Sequence, residues 1–107
     1  MQIDFKFHNF ESSDAMKAYA TDKIGKLQKY VRAPLEVHVT FSLERISHRV
    51  DVTFNAGSEH HQAHAEEPEM YAAIDAVVDK IQRQINRSKE HHHNHRRGPL
   101  PEDAPGE

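Results

Sequence analysis

The sequence predicts an α+β fold, in which two helices pack on one face of a four-stranded sheet in the order β-α-β-β-β-α. Four segments alternate apolar and polar residues, the period of two that is typical of a half-buried strand. Two longer segments repeat apolar residues every three or four positions, which predicts amphipathic helices. One helical layer on one face leaves the other face of the sheet in contact with water.

The N-terminal part predicts a strand followed by a helix. Residues 2–8 alternate, and their apolar face consists of Ile3, Phe5 and Phe7. Ser13 is the predicted N-cap of the first helix, because its hydroxyl can accept a hydrogen bond from a free backbone N–H group. The helix should end near Tyr30, ahead of Pro34. Its predicted buried residues are Met16, Ala20, Ile24 and Leu27.

The middle of the chain predicts three more strands. The core face of the first of them consists of Leu35, Val37, Val39, Phe41 and Leu43, and that of the second of Val50, Val52, Phe54 and Ala56. A turn at Gly57 and Ser58 leads into a weaker strand over residues 59–66, with Ala63 and Ala65 facing the core. The outward face consists of His38, Thr40, Asp51, Thr53, Gln62 and His64. It has no aromatic platform, so an RNA-recognition motif is disfavoured, and the order of elements resembles a double-stranded-RNA-binding fold with an extra strand at its front.

The last helix, which Pro68 precedes, carries two different surfaces. Its apolar stripe consists of Met70, Ile74, Val77, Val78, Ile81 and Ile85. Lys80, Arg83 and Arg87 follow one another at i, i+3 and i+7 and predict a neighbouring basic stripe that could contact a row of anions. Basic residues near a helix C-terminus also complement the helix dipole, so this stripe alone leaves a purely structural role open.

The first helix carries a second basic row. Lys23, Lys26 and Lys29 recur at three-residue steps. If the two helices pack side by side, both rows are expected to lie on one shared surface. That surface would be suited to folded nucleic acid.

Composition limits the function classes. The 107 residues predict a single domain over residues 1–89 and a disordered tail over residues 90–107. Seventeen acidic against fourteen basic residues argue against nonspecific DNA binding, although a local basic patch remains compatible with this balance. The absence of cysteine excludes disulfides and thiolate chemistry and fits a reducing cytosol. We expect no signal peptide, no membrane span and no enzyme, since the sequence has no long apolar run, nucleophile motif or glycine-rich phosphate loop.

Several motifs resemble one known family. Residues 69–75, Glu-Met-Tyr-Ala-Ala-Ile-Asp, followed by Asp79-Lys80-Ile81 and Arg83-Gln84-Ile85, are similar to the signature helix of the ribosome hibernation promoting factor and ribosome-associated inhibitor A family. Asp22-Lys23-Ile24 in the first helix and Ser47-His48 before the third strand also resemble that family. The resemblance covers roughly residues 1–89 and is to the short form of the family.

The resemblance implies a cytoplasmic bacterial stress protein with no cofactor and no catalytic activity. Such a protein would bind the small ribosomal subunit in the channel for messenger and transfer RNA and reversibly inhibit translation in stress or stationary phase. The residues implied to contact ribosomal RNA are Lys23, Lys26, Lys29, Lys80, Arg83, Arg87 and Lys89. The second domain by which long family members pair ribosomes is not expected in 107 residues, so ribosome pairing would need another factor.

The tail supports an alternative function. His91, His92, His93 and His95 could bind zinc, nickel or copper, which would make the chain a metal-binding protein. A flexible tract lacks the surrounding groups that fix a specific site, so adventitious binding is the favoured interpretation. Proline, glycine and acidic residues dominate the last ten positions and predict disorder. His60, His61 and His64 do not predict a metal site, because His61 would face away from the other two.

Overall fold

The computed structural model describes residues 1–96, with side chains through Lys89, and it confirms the predicted order of elements. The strands are β1 (Gln2–His8), β2 (Glu36–Leu43), β3 (His48–Ala56) and β4 (Glu59–Glu67). The helices are α1 (Asp14–Gly25), which continues directly into a 3-10 helix, η1 (Lys26–Tyr30), and α2 (Met70–Arg96). Neither helix has a stretch apolar and long enough to cross a lipid bilayer within this described part.

The border of the predicted tail does not coincide with the end of a helix. The sequence placed a disordered tail from residue 90, whereas the backbone of α2 remains helical to Arg96. Residues 97–107, with the proline, glycine and acidic positions, lie outside the described residues. The division into a domain over 1–89 and a tail over 90–107 therefore stays a prediction.

The four strands form one mixed sheet in the order β1-β2-β3-β4. β1 and β2 are parallel, because α1 and η1 return the chain to the starting edge, and the other two pairs are antiparallel hairpins. The register places Phe5 beside Val39, Val39 beside Val52, and Val52 beside Ala63. One apolar row thus crosses the whole sheet.

Both helices pack on the face that carries this row. Ala20 and Ile24 of α1 and Ile74, Ile81 and Ile85 of α2 are each at most 2% exposed and belong to the same core cluster. The sheet contributes its inward residues, among which Val37, Phe41 and Phe54 are fully buried. Full burial of such a side chain stabilises the fold by about 1.5–3 kcal/mol. The two-layer prediction is confirmed.

The alternation fails at the end of β2. Leu43, predicted in the core, is 38% exposed, and Ser42, predicted outward, is only 6% exposed. Leu43 is the last residue of its strand and adjoins the hairpin turn, beyond the buried row. Ser42 lies in register between His8 and Arg49, two larger side chains that flank it on the same face.

Two local features fix the ends of the elements near the helices. The Ser13 hydroxyl accepts a 3.2 Å hydrogen bond from the Met16 amide, as predicted for an N-cap. Gly57, in the β3–β4 turn, has a φ of +63°, and a Cβ atom at this position would lie 2.9 Å from the Cβ atom of Ala33. The turn therefore contacts the segment after η1 closely, and glycine is required there.

Candidate nucleic-acid interface

A groove of about 290 Å³ runs between the first helical segment and α2, and we call it the interhelical groove. Lys23, Lys26 and Lys29 line one wall, which confirms that the predicted row of the first helix lies on one surface. The row is straight because Lys26 and Lys29 belong to η1, and a 3-10 helix has three residues per turn. The opposite wall is formed by residues of α2, namely Asp75, Val78, Asp79 and Gln82.

Carboxylates balance part of the positive charge in this groove. The Lys23 ammonium lies 3.8 Å from the Asp75 carboxylate, and the Lys26 ammonium lies 3.7 Å from the Asp22 carboxylate. Exposed pairs of this kind contribute at most about 1 kcal/mol to stability, so a competing phosphate could displace them. The groove is therefore basic, but at its Asp75 end the positive potential is reduced.

Tyr19 of α1 contacts two residues of α2. Its hydroxyl donates a 2.7 Å hydrogen bond to Asp75, and its ring meets the Tyr71 ring edge to face at 5.0 Å. The hydrogen bond to the Asp75 carboxylate raises the pKa of Tyr19, and partial desolvation and the negative charges of Asp75 and Asp22 act in the same direction. The two helices are thus joined by polar contacts at the outer rim of the core.

A second cleft, of about 470 Å³, continues the groove beyond Tyr30, and we call it the Tyr30 cleft. The ammonium groups of Lys29 and Lys89 lie 5.3 and 5.7 Å from the centroid of the Tyr30 ring, within the range of cation–π attraction. Arg32 lines the same cleft. Lys89 of α2 is thereby brought together with the row of the first helix, as the shared-surface prediction requires.

Arg32 is not among the residues predicted to contact RNA. The signal was present, since Arg32 continues the three-residue step of Lys23, Lys26 and Lys29. It lies two residues beyond the end of η1, where helical spacing no longer predicts the direction of a side chain.

Lys80, Arg83 and Arg87 do not line the interhelical groove or the Tyr30 cleft, which corrects the prediction of one shared surface. The Lys80 ammonium donates a 2.8 Å hydrogen bond to the backbone carbonyl of His64 in β4, and Gln84 makes a 2.9 Å bond to that of Gln62. Lys80 thus lies over the β4 edge of the sheet. Lys80 and Lys89 are nine residues apart, which at about 100° per residue puts them on opposite sides of the helix.

Arg83 and Arg87 lie on the exposed side of α2 near Lys80, which they follow by three and seven residues. The Arg83 guanidinium lies 2.7 Å from the carboxylate of Asp79, one turn earlier, and both side chains are more than 60% exposed. Arg87 is exposed and has no ion pair with any side chain that the structure describes. We call Lys80, Arg83 and Arg87 the outer row, a second basic surface on α2. Their role in RNA binding stays a prediction.

The open face of the sheet has a different character. Its arginine, Arg49, is held by two 3.0 Å contacts to Asp51 and one of 3.1 Å to Glu66, and the hydrogen bonds to Asp51 hold its pKa above the ordinary value. His38 contacts Asp4 at 3.2 Å. The predicted outward residues do face solvent here. Arg49 is already neutralised by its carboxylates, and Lys6 of β1 is an isolated exposed cation on this face. The interface candidate is the helical side.

The structure confirms that the β4 histidines point in different directions. His60 is exposed and contacts Asn55, whereas the His61 side chain is only 10% exposed, lies against the Phe54 ring and makes a 2.7 Å contact with Glu59. Over the described residues no group of three or more histidine, aspartate or glutamate side chains could hold a metal ion. The side chains of His91, His92, His93 and His95 lie outside the described part.

Known proteins are similar to this chain in sequence and in fold. The model of the family described as "Sigma 54 modulation protein / S30EA ribosomal protein" matches residues 3–93. The Ribosome hibernation promoting factor of Salmonella typhimurium is 36% identical over 90 residues, which cover 84% of this chain and 95% of that protein. The protein of the same name from Azotobacter vinelandii is 30% identical over 105 residues, 98% of each chain.

Solved structures agree with this assignment. The crystal structure of the Thermus thermophilus Protein Y N-terminal domain superposes with a TM-score of 0.75 at 28% identity and covers 81% of this chain and 98% of that domain. A ribosomal subunit interface protein from Coxiella burnetii has a TM-score of 0.72 at 19% identity, covering 84% and 99%, and supports the fold alone. The likeness to double-stranded-RNA-binding folds stays a prediction. From the matched residues and the identity to these relatives, the chain belongs to the Sigma 54 modulation protein / S30EA ribosomal protein family, which confirms the resemblance that its motifs suggested.

Proposed function

We propose that this chain is a cytoplasmic ribosome hibernation factor, a binding protein and not an enzyme. It binds ribosomal RNA of the small subunit in the channel for messenger and transfer RNA, and reversibly inhibits translation in stress or stationary phase. The observation that carries the proposal is the convergence of Lys23, Lys26, Lys29 and Lys89 on the interhelical groove and the Tyr30 cleft. The names of the relatives, Ribosome hibernation promoting factor, support it.

The basic surface supports an RNA partner in spite of the overall negative charge. Backbone phosphates provide most of the affinity of such contacts, and each cation that neutralises a phosphate releases a counterion. At about 0.15 M salt the Debye length is roughly 8 Å, so carboxylates on the opposite face of the sheet are largely screened from the groove. The local row of lysines, and not the formal charge of −3, then determines the interaction.

The two basic surfaces on α2 favour a partner that surrounds the helix. Lys89 belongs to the Tyr30 cleft, whereas Lys80 lies over β4 on the opposite side of α2. A flat RNA surface could contact only one of these sides at a time. A channel lined by RNA could contact both, which is compatible with the channel of the small subunit that the family resemblance implies.

Sedimentation tests the proposal directly. In a sucrose gradient of stationary-phase lysate, the protein should migrate with small subunits or intact ribosomes, and purified protein added to a translation extract should inhibit it until it is removed. If about six phosphates are neutralised, the slope of log K against log salt should be roughly −4 to −5. Protein that stays at the top of the gradient would contradict the function, and a flat salt titration would contradict the electrostatic mechanism.

A further inference from the structure

We propose that the Tyr30 cleft is a phosphate-binding subsite, in which Lys29, Arg32 and Lys89 together hold one phosphate-bearing group and anchor the basic surface. Its ligand is an RNA backbone phosphate or a free polyphosphate, which share the same chemistry. The RNA form of the proposal rests on the function proposed above. The assignment goes beyond that function because it singles out one end of the surface and adds a residue, Arg32, that does not belong to either helix.

The cations of the Tyr30 cleft are not balanced by carboxylates. Lys29, Arg32 and Lys89 have no ion pair with any side chain of residues 1–89, whereas Lys23 and Lys26 at the other end are each within 4 Å of an aspartate. The only carboxylate in the lining of the Tyr30 cleft is Glu59, and it already contacts His61 at 2.7 Å. An anion in this cleft would meet three cations without displacing a carboxylate from any of them.

The Tyr30 ring holds two cations of the cleft near each other. The ring attracts the ammonium groups of Lys29 and Lys89, while its hydroxyl accepts a 3.2 Å hydrogen bond from Gln82 that fixes its position. Two ammonium groups beside one ring repel each other. A bound phosphate would offset this repulsion. The repulsion in the free protein therefore makes the binding of an anion more favourable.

Hydrogen bonds and close packing fix the walls of the cleft. The Gln28 amide donates a 2.8 Å hydrogen bond to the carbonyl of Ala33 and accepts one of 3.2 Å from the Leu35 amide, which holds the turn that carries Arg32. On the other side, the turn at Gly57 is in close contact with Ala33. A site whose backbone is already ordered loses less entropy when it binds an anion.

A pair of double variants tests the subsite in the full chain. Arg32→Ala with Lys89→Ala removes two cations from the cleft, and Lys6→Ala with Arg45→Ala removes one lysine and one arginine from exposed positions on β1 and in the β2–β3 hairpin. Binding to purified small ribosomal subunits is measured over a salt series. Separately, sodium tripolyphosphate is titrated into ¹⁵N-labelled protein while the amides of residues 28–33 and 56–59 are followed. Thermal unfolding verifies that both variants are folded.

The expected result is a loss of subunit affinity of roughly tenfold or more for the cleft variant and a salt slope reduced by between one and two, with less than a twofold change for the control. Tripolyphosphate could cause saturable shifts in the wild-type chain and not in the cleft variant, while both bind subunits equally well. That result would support the subsite with a free polyphosphate as its ligand. The subsite would be overturned, and the proposed function left intact, by two results together. The cleft variant would bind subunits as tightly as the wild-type chain, and tripolyphosphate would cause no saturable shift in the wild-type chain. If the wild-type chain does not bind subunits, the proposed function fails, and the tripolyphosphate titration alone decides the subsite.

Discussion

The hydroxyl of Tyr19 in α1 donates a 2.7 Å hydrogen bond to the carboxylate of Asp75 in α2. The same carboxylate lies 3.8 Å from the Lys23 ammonium. One acidic side chain therefore joins the two helices and also pairs with a lysine that the proposed RNA partner would contact. It competes with phosphate at the weaker end of the interhelical groove.

Asp75→Asn should tighten binding to the small subunit. Asparagine keeps an acceptor for the Tyr19 hydroxyl but removes the negative charge beside Lys23. Two unit charges about 4 Å apart in water interact by about 1 kcal/mol, which corresponds to an affinity gain of roughly fivefold. Asp4→Asn, which removes the same charge from the open face of the sheet, is the control and should change affinity much less. Equal effects of the two variants would show that only net charge matters.

Tyr19 should titrate at a higher pH than it does in the unfolded chain. Because its pKa is raised in the folded state, folding favours the protonated hydroxyl. This contribution to stability is complete below the unfolded pKa of about 10 and is lost as the pH rises through the higher folded value. Alkaline titration of phenolate absorbance, with Tyr19→Phe used to assign the signal, measures the shift. Asp75→Asn should reduce it, and an unchanged titration in that variant would contradict the assigned cause.

Gly57→Ala should destabilise the fold and disturb the Tyr30 cleft. An alanine at a φ of +63° costs about 1–2 kcal/mol, and its Cβ would also lie 2.9 Å from that of Ala33. Gly25→Ala is the matched control, because there the new Cβ meets only the flexible tip of the Met1 side chain, at 3.3 Å. Gly25 lies at the end of α1, where alanine favours the helix. Urea denaturation should show a clear loss for Gly57→Ala and little or no loss for Gly25→Ala.

The sequence predicted what depends on local periodicity. The strand alternation, the Ser13 cap and the alignment of Lys23, Lys26 and Lys29 all follow from spacing within one segment. The structure confirms them, apart from Ser42 and Leu43 at the end of β2. The rotation of α2 relative to α1 depends instead on tertiary packing, because the apolar stripe of α2 must face the sheet. That rotation brings Asp75 to the groove and Lys80 to β4, contacts between residues far apart in the sequence. No spacing rule within α2 could predict them.

Lys80→Ala and Arg87→Ala should separate charge from structure in the outer row. If the outer row contacts RNA, each variant should reduce the salt slope by about one. Only Lys80→Ala also removes the hydrogen bond to the His64 carbonyl, so it alone should lower the free energy of unfolding, by about 0.5–1.5 kcal/mol. Salt titration and urea denaturation of both variants measure the two effects. An unchanged slope in both would exclude Lys80 and Arg87 from the interface.

Removal of residues 90–107 should separate the two functions that the sequence left open. Among the residues whose side chains the structure describes, the last buried one in α2 is Ile85 and the last cation of the Tyr30 cleft is Lys89, so a chain of residues 1–89 keeps the described core and basic surface. Its affinity for small subunits should stay within about twofold of the full chain, because the phosphate contacts that dominate binding are retained. Binding of zinc or nickel, measured by calorimetry, should disappear.

A full-length variant with His91, His92, His93 and His95 changed to glutamine is the control for tail length, since it removes the imidazole ligands and keeps every other residue. It should also lose metal binding and keep subunit binding. Loss of subunit binding in both variants would place the histidines in the RNA interface. Loss in the shortened chain alone would assign that contact to the remaining tail residues, among which Arg96 and Arg97 are the basic ones. Either loss would show that the interhelical groove, the Tyr30 cleft and the outer row are not sufficient for docking.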